Sequence, residues 1–230
     1  MRDRFAALST PLVADACLRL GIPVRCAPPS VRALEPGMRV AGRVLPVRHA
    51  GSVDVYLEAV LAARPGDVLV VDNGGRLDEA CLGDLALLDA LAAGVSGAVI
   101  WGLHRDTADL LEIGAPVFSL GALPTGPQRL DPRHPDALAS ADVGGHTATA
   151  ADAVLGDEDG VLFVPLGRVD EVLATAEGIA STERRQAALI REGTTLRDQV
   201  RFDDYLAARA ADPALTFRDH LRRVGGEIEV

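Results

Sequence analysis

Arg105 and Asp106 stand side by side directly after Gly97-Ala98-Val99-Ile100-Trp101, a run that reads as a buried strand, and the glycine Gly102. The arginine offers a fork of donors suited to a carboxylate or an enolate oxygen, and the aspartate offers hard oxygen to a divalent cation. Upstream, Gly83-Asp84-Leu85-Ala86 sets a glycine and an acid inside an apolar stretch, where exposed amides at a helix start would receive an anion. Each feature also has a plain reading. Asp106 caps a following helix while Arg105 is a surface charge, and Gly83 is a packing glycine. His104 is a titratable neighbour of Arg105, and the plain reading, an ordinary histidine, is favoured there.

The elements that must position these residues follow from periodicity and punctuation. Residues 9–20 predict a helix, capped by Ser9 or Thr10 and closed by Gly21 and Pro23. An extended stretch covers 39–47, and a helix covers 53–63 before Pro65-Gly66. Asp67–Asp72 predicts a strand ending in the Asn73-Gly74-Gly75 loop, where positive φ is cheap. Residues 78–93 are rich in alanine and leucine and predict a helix, followed by strands at 97–101 and 116–120 with a short helix at 106–113 between them. Segment 122–142 reads as a connecting loop, 161–164 as a strand, 168–191 as a long polar helix, and 203–223 as shorter helices broken near Asp212-Pro213. Such alternation predicts a mixed or parallel α/β sheet whose ligands bind beyond the carboxyl ends of its strands.

At 230 residues with 48% hydrophobic side chains, the chain buries a sizeable core. Its formal charge of −10 disfavours phosphate backbones and anionic lipid, so neither nucleic acid nor membrane is expected as a partner. An anionic substrate must then be held locally, by arginine, metal or amides. Cys17, Cys26 and Cys81 form no C-x-x-C pair and are expected to be buried and reduced. With neither a signal pattern nor a long apolar run, the expected location is the cytoplasm. The dinucleotide, nucleoside-triphosphate and zinc-protease motifs are absent.

Taken together and at this spacing, Gly83-Asp84-Leu85-Ala86, Gly97 through Asp106, and Pro116-Val117-Phe118 resemble the RraA-like family, which includes 4-hydroxy-4-methyl-2-oxoglutarate aldolase. Thr10 to Ala16, Pro65 to Asp72, and Asp159-Gly160-Val161 with Val164-Pro165 extend the resemblance over most of the chain. The resemblance implies a layered β/β/α swivelling-domain sandwich over 1–195, with a helical C-terminal extension over 196–230 that packs on the same domain or on a neighbouring subunit. It implies trimers or hexamers with sites at subunit contacts. For the residues, it implies that the backbone of Gly83, Asp84, Leu85 and Ala86 cradles a pyruvate carboxylate, Arg105 binds substrate oxygen, and Asp106 anchors Mg²⁺ or Mn²⁺.

The reaction implied is retro-aldol cleavage of a 4-hydroxy-2-oxo acid to pyruvate, with oxaloacetate decarboxylation as related chemistry. Glu183 is a candidate for the glutamate that family members lend to a neighbouring site, although a glutamate on a polar helix is more often simply solvated. Two departures stand out. Trp101 occupies the position of the acid in the family's D-G-x-x-R-D, which is expected to alter the site's proton network or the residues around its immediate ligands, and Ala150-Ala151-Asp152 stands where P-G-D is frequent. Two other readings remain open: a non-catalytic regulator of a ribonuclease, or a lyase or hydratase for another 2-oxo or sugar acid.

Overall fold

In the computed structural model, which describes residues 1–226, the apolar run from Val68 to Val71 forms a strand enclosed on both faces. A parallel strand sandwiched between layers requires such a run. In chain order the elements are α1 (Arg2–Phe5), α2 (Thr10–Arg19), β1 (Arg25–Cys26), β2 (Arg32–Ala33), β3 (Val40–Arg48), α3 (Asp54–Val60), β4 (Val68–Asp72), β5 (Ala80–Leu82) and α4 (Asp84–Ala92). They continue with β6 (Ala98–Trp101), β7 (Leu103–His104), α5 (Thr107–Ile113), β8 (Val117–Ser119), β9 (Ser140–Val143), β10 (His146–Thr149), β11 (Asp152–Asp157), β12 (Gly160–Pro165) and α6 (Val169–Arg191). The last are α7 (Leu196–Gln199), α8 (Phe202–Ala211) and α9 (Phe217–Val224).

The chain forms two compact units, Met1–Leu173 and the residues from Ala174 onward. In the first, eight strands run in the order β1-β12-β11-β3-β4-β6-β8-β2, with β3, β4, β6 and β8 parallel and the flanking pairings antiparallel. The sheet curls until β12 approaches β2. Alternate side chains of the parallel strands face opposite cores. Leu45, Leu69, Val71 and Ile100 pack with Tyr56 of α3, Leu87 of α4 and Leu110 of α5. Val44, Val70, Val99 and Phe118 pack with Ala141 and Val143 of β9, Ala148 of β10 and Phe163 of β12. Helices therefore cover one face and β structure the other, the expected β/β/α layering.

Two motif residues have structural work. Thr10 anchors the start of α2 by donating its N–H and hydroxyl to the buried Asp157 carboxylate, at 2.7 and 2.6 Å. Asp67 follows Gly66 (φ +88°), accepts the Arg64 amide at 2.8 Å, and pairs through both oxygens with Arg43. These contacts splice α2 and the α3–β4 turn onto the sheet.

The structure corrects three expectations. The predicted helix over 78–93 begins only at Asp84, because Ala80-Cys81-Leu82 is a fully buried strand paired with β7. A short apolar run has no periodicity by which to tell strand from helix. The loop over 122–142 ends in β9, which forms a hairpin with β10 across Gly144-Gly145 at φ +59° and +92°, a glycine pair suited to such a turn. Cys17 and Cys81 are buried, whereas Cys26 sits on the two-residue edge strand β1 and is exposed.

In the second unit Tyr205, Phe202, Phe217 and His220 form an aromatic cluster, and His220 Nε2 lies 2.8 Å from the Val200 carbonyl. Thr195 and Asp198 make a reciprocal cap on α7. The break near Asp212-Pro213 separates α8 from α9 as expected. Of the extension predicted over 196–230, the last four residues lie outside the described residues.

Candidate active site

The carboxyl ends of β3, β4 and β6 are followed by His49, Asn73 and the β7 segment leading to Arg105, so the chemistry gathers where parallel strands end. The parallel pairing of β5 with β7 brings the two sequence motifs together: the Arg105 amide donates to the Leu82 carbonyl at 3.0 Å, which sets Gly83 beside Arg105 and Asp106. A Cβ on Gly83 would overlap Asp106 Oδ2 and lie 3.3 Å from Arg105 Nε. Gly83 is therefore a glycine because the arginine–aspartate pair occupies the space of its side chain.

Gly83 is also the N-cap of α4 in extended conformation, with no side chain to cap the helix. The amides of Asp84, Leu85 and Ala86 have no acceptor within the helix, and the helix dipole adds positive potential there. They border a cavity of about 270 Å³ whose wall includes Gly83 to Ala86, Arg105, His49, Tyr56 and Cys81. Arg105 is 49% exposed, and its Nε donates to Asp106 Oδ2 at 3.2 Å. Its Nη atoms have no protein acceptor among the described residues. Those donors are open to a ligand oxygen.

Asp106 stands at the N-cap of α5 yet makes no capping hydrogen bond, and its backbone is left-handed at φ 61°, ψ 42°. An aspartate tolerates that region at some cost, and such strain concentrates at functional sites. Among the described residues no three His, Cys, Asp or Glu side chains gather as a metal cage. A lone, partly exposed carboxylate suits Mg²⁺ or Mn²⁺, ions that retain water and take further ligands from substrate. It does not suit a zinc centre. Glu183 is exposed on α6, within the second unit.

Several neighbours were invisible as a group in the sequence. His49 is buried, stacks on Tyr56 with centroids 5.6 Å apart, and places Nδ1 2.9 Å from Asn73 Oδ1. Arg129 Nη2 donates to the same Asn73 oxygen at 3.1 Å and pairs with the buried Glu79 at 2.8 Å. The ring of His49 also borders a second hollow of about 380 Å³ that contains Arg129 and Asp131. Burial lowers the pKa of His49 against the opposing pull of Asn73 and Glu79, so the ring is neutral near pH 7. The Cys81 thiol is pushed up to about 12, chiefly by burial, and supplies no thiolate at neutral pH. The one available signal for His49 was its position, just past a predicted strand in an α/β pattern.

His104 is an ordinary buried histidine. Nδ1 lies 2.7 Å from Ser119 Oγ and Nε2 3.1 Å from Thr107 Oγ1, which ties β8 to the start of α5, and burial lowers its pKa. Trp101 belongs to the opposite sheet face from the cavity, among the residues packed with Val99 and Phe118. A Cβ on Gly75 would lie 2.7 Å from its ring, so the indole covers the Asn73–Gly75 turn. Its replacement of an acid therefore changes the far side of the sheet rather than the cavity wall.

A pH dependence follows from the two lowered histidines. The unfolded chain takes up protons at both rings as pH falls through about 6.5, whereas the native rings resist, so stability is complete above that pH and declines below it. Urea midpoints measured from pH 7.5 down to 5.5 are expected to fall, with a shallower decline in His104→Gln. A midpoint that stays level or rises over that window would contradict the buried neutral state.

Comparison with known proteins agrees with this architecture. Residues 10–163 match the RraA-like family model, described as Aldolase/RraA. DlpA of Legionella pneumophila is 30% identical over 181 residues, 76% of this chain, although the match spans only 29% of DlpA. A Halalkalibacterium halodurans protein named "Putative 4-hydroxy-4-methyl-2-oxoglutarate aldolase" is 29% identical over 70% of this chain and 76% of its own. A solved but uncharacterised Pseudomonas syringae protein superposes with a TM-score of 0.71 at 28% identity, covering 84% of this chain and 92% of that one. Streptomyces coelicolor RraAS2, described as an unusual member of the RNase ES inhibitor RraA family, shares the fold, with a TM-score of 0.68 at 24% identity over 81% of this chain and 96% of its own. With the matched segment running from the first turn of α2 to β12, the chain belongs to the RraA-like family.

Proposed function

We propose that the protein is a divalent-metal-dependent lyase that cleaves a carbon–carbon bond in a small 2-oxo acid and releases pyruvate. One observation carries the reading: an open helix N-terminus and Arg105, with free Nη donors, line one cavity, and the Asp106 carboxylate lies against Gly83 and Arg105. The amides of Asp84 to Ala86 hold the substrate carboxylate, as helix N-termini hold anions. Breaking the bond leaves negative charge on the former 2-oxo oxygen, and Arg105 donates where that charge develops. Asp106 is the residue that would hold Mg²⁺ or Mn²⁺, which supplies further stabilisation of the developing charge as a Lewis acid.

Assembly as a trimer or hexamer is part of the proposal. Val53 and Leu85 on the cavity wall, with Leu57 and Leu61 at α3 and Leu88 of α4, leave large apolar side chains exposed, Leu85 at 75% and Leu61 at 86%. Exposed apolar surface of this kind marks a protein contact. No helix among the described residues is long and apolar enough to cross a membrane.

The test is pyruvate release from 4-hydroxy-4-methyl-2-oxoglutarate and from oxaloacetate, with Mg²⁺ or Mn²⁺ and again with chelator. Metal-dependent release from at least one compound is expected. No release from either by metal-loaded protein would shift the weight to a lyase or hydratase for another acid, or to a ribonuclease regulator.

A further inference from the structure

We propose that His49 is the general base of the cleavage, accepting the substrate's 4-hydroxyl proton on Nε2 and returning it to C3. The inference rests on the lyase reading above. It starts from what retro-aldol chemistry lacks in the residues already assigned. A guanidinium and backbone amides only donate, and the Cys81 and Tyr56 protons are held more tightly by burial. Asp106 is engaged with Arg105 and reserved for the cation. On the cavity wall His49 and Asp84 remain as proton acceptors.

Hydrogen bonding sets the tautomer of His49. A guanidinium has donors only, so the atom of Asn73 that receives Arg129 Nη2 must be its oxygen, and the amide cannot be turned the other way. The same oxygen faces His49 Nδ1 at 2.9 Å, which therefore carries the hydrogen. Nε2 is left with a lone pair. It has no protein partner among the described residues and is not one of the buried atoms sealed from solvent. The imidazole is further held by its stack on Tyr56, and Glu79 grips Arg129 behind Asn73. A neutral ring with one nitrogen anchored and the other unpartnered, on a residue that lines the cavity, is arranged as catalytic histidines are.

The step balances without any other reactant. Nε2 takes the hydroxyl proton, the C4–O bond becomes a carbonyl, the C3–C4 electron pair becomes the C2–C3 double bond, and the 2-oxo π pair passes to oxygen. The proton on Nε2 then goes to C3 as the C2 carbonyl re-forms, giving pyruvate.

The experiment compares wild type, His49→Ala and His49→Gln as full-length, Mg²⁺-loaded proteins on 4-hydroxy-4-methyl-2-oxoglutarate and on oxaloacetate. Aldol cleavage is expected to fall by roughly 10²- to 10⁴-fold in both variants, the usual contribution of a positioned base. Oxaloacetate decarboxylation has no hydroxyl proton to remove and is expected to fall by less than about tenfold, since it forgoes that contribution. Free imidazole should restore aldol cleavage in His49→Ala, where the ring's space is vacated, and leave His49→Gln unchanged. Aldol cleavage by His49→Ala close to the wild-type rate would overturn the assignment and turn attention to Asp84, leaving the lyase reading in place. Equal loss of both reactions with no response to imidazole would overturn it too, in favour of a structural histidine. Failure of the wild type to release pyruvate from either compound would overturn the lyase reading and the base together.

Discussion

Asp106→Ala is expected to lower metal-dependent pyruvate release by about 10³-fold or more, a loss of about 4 kcal/mol of transition-state stabilisation, while leaving the fold intact. The side chain makes one hydrogen bond, to Arg105 Nε, and no cap, so its removal costs little packing. What is lost is the carboxylate that pairs with Arg105 and that the proposed mechanism assigns to the cation. Gly83→Ala is the graded companion. Its methyl would occupy the space of Asp106 Oδ2, the far end of a side chain that can swing aside, so folding survives while the carboxylate moves. A displacement near 1 Å at such a position costs about 10²-fold in rate. Steady-state kinetics with titrated Mg²⁺, beside urea unfolding, separate the two effects. An Asp106→Ala protein with wild-type turnover would remove the aspartate from the mechanism altogether.

Glu79→Ala is expected to destabilise the protein by about 3–5 kcal/mol, because it breaks a buried ion pair and leaves a cation poorly matched. Glu79 is 3% exposed, and its carboxylate receives Arg129 through Nε at 3.1 Å and Nη2 at 2.8 Å. Arg129 keeps Asp131 and Asn73 as partners, which places the loss toward the lower end of that range. Exchanging both partners for hydrophobic residues, Glu79→Leu with Arg129→Met, should recover part of the loss, since neither member of the buried pair is left alone while Arg76 and Asp131 each lose a contact. Denaturant unfolding of the singles and the double forms the cycle. A Glu79→Ala cost under about 1 kcal/mol would show that water compensates the pair, contrary to its burial.

The sheet's middle was legible because chemistry and period agreed there. Val68–Val71 and Ala98–Ile100 are continuous apolar runs between glycines or prolines, and such runs become buried parallel strands. The start of α2, its stop at Gly21 and the long α6 were equally readable from caps and spacing. β5 was not, since its three residues carry no period and the helix-forming residues of α4 follow immediately. The start of β9 was hidden at the end of a segment whose proline, alanine and aspartate content reads as loop.

For the candidate site, sequence alone identified Arg105, Asp106 and Gly83 to Ala86 by type and spacing. What it could not contain is the reason for Gly83, which is the Arg105–Asp106 pair lying across it through β5–β7 pairing. Nor could it connect His49, Asn73, Glu79 and Arg129, which stand up to eighty residues apart and meet because parallel strands end at one level. Local propensity and periodicity are properties of neighbours in the chain, so they decided where strands and helices begin. Strand order and register are properties of distant segments, so only the tertiary structure decided which nitrogen of His49 is free and which glycine has no room for a methyl.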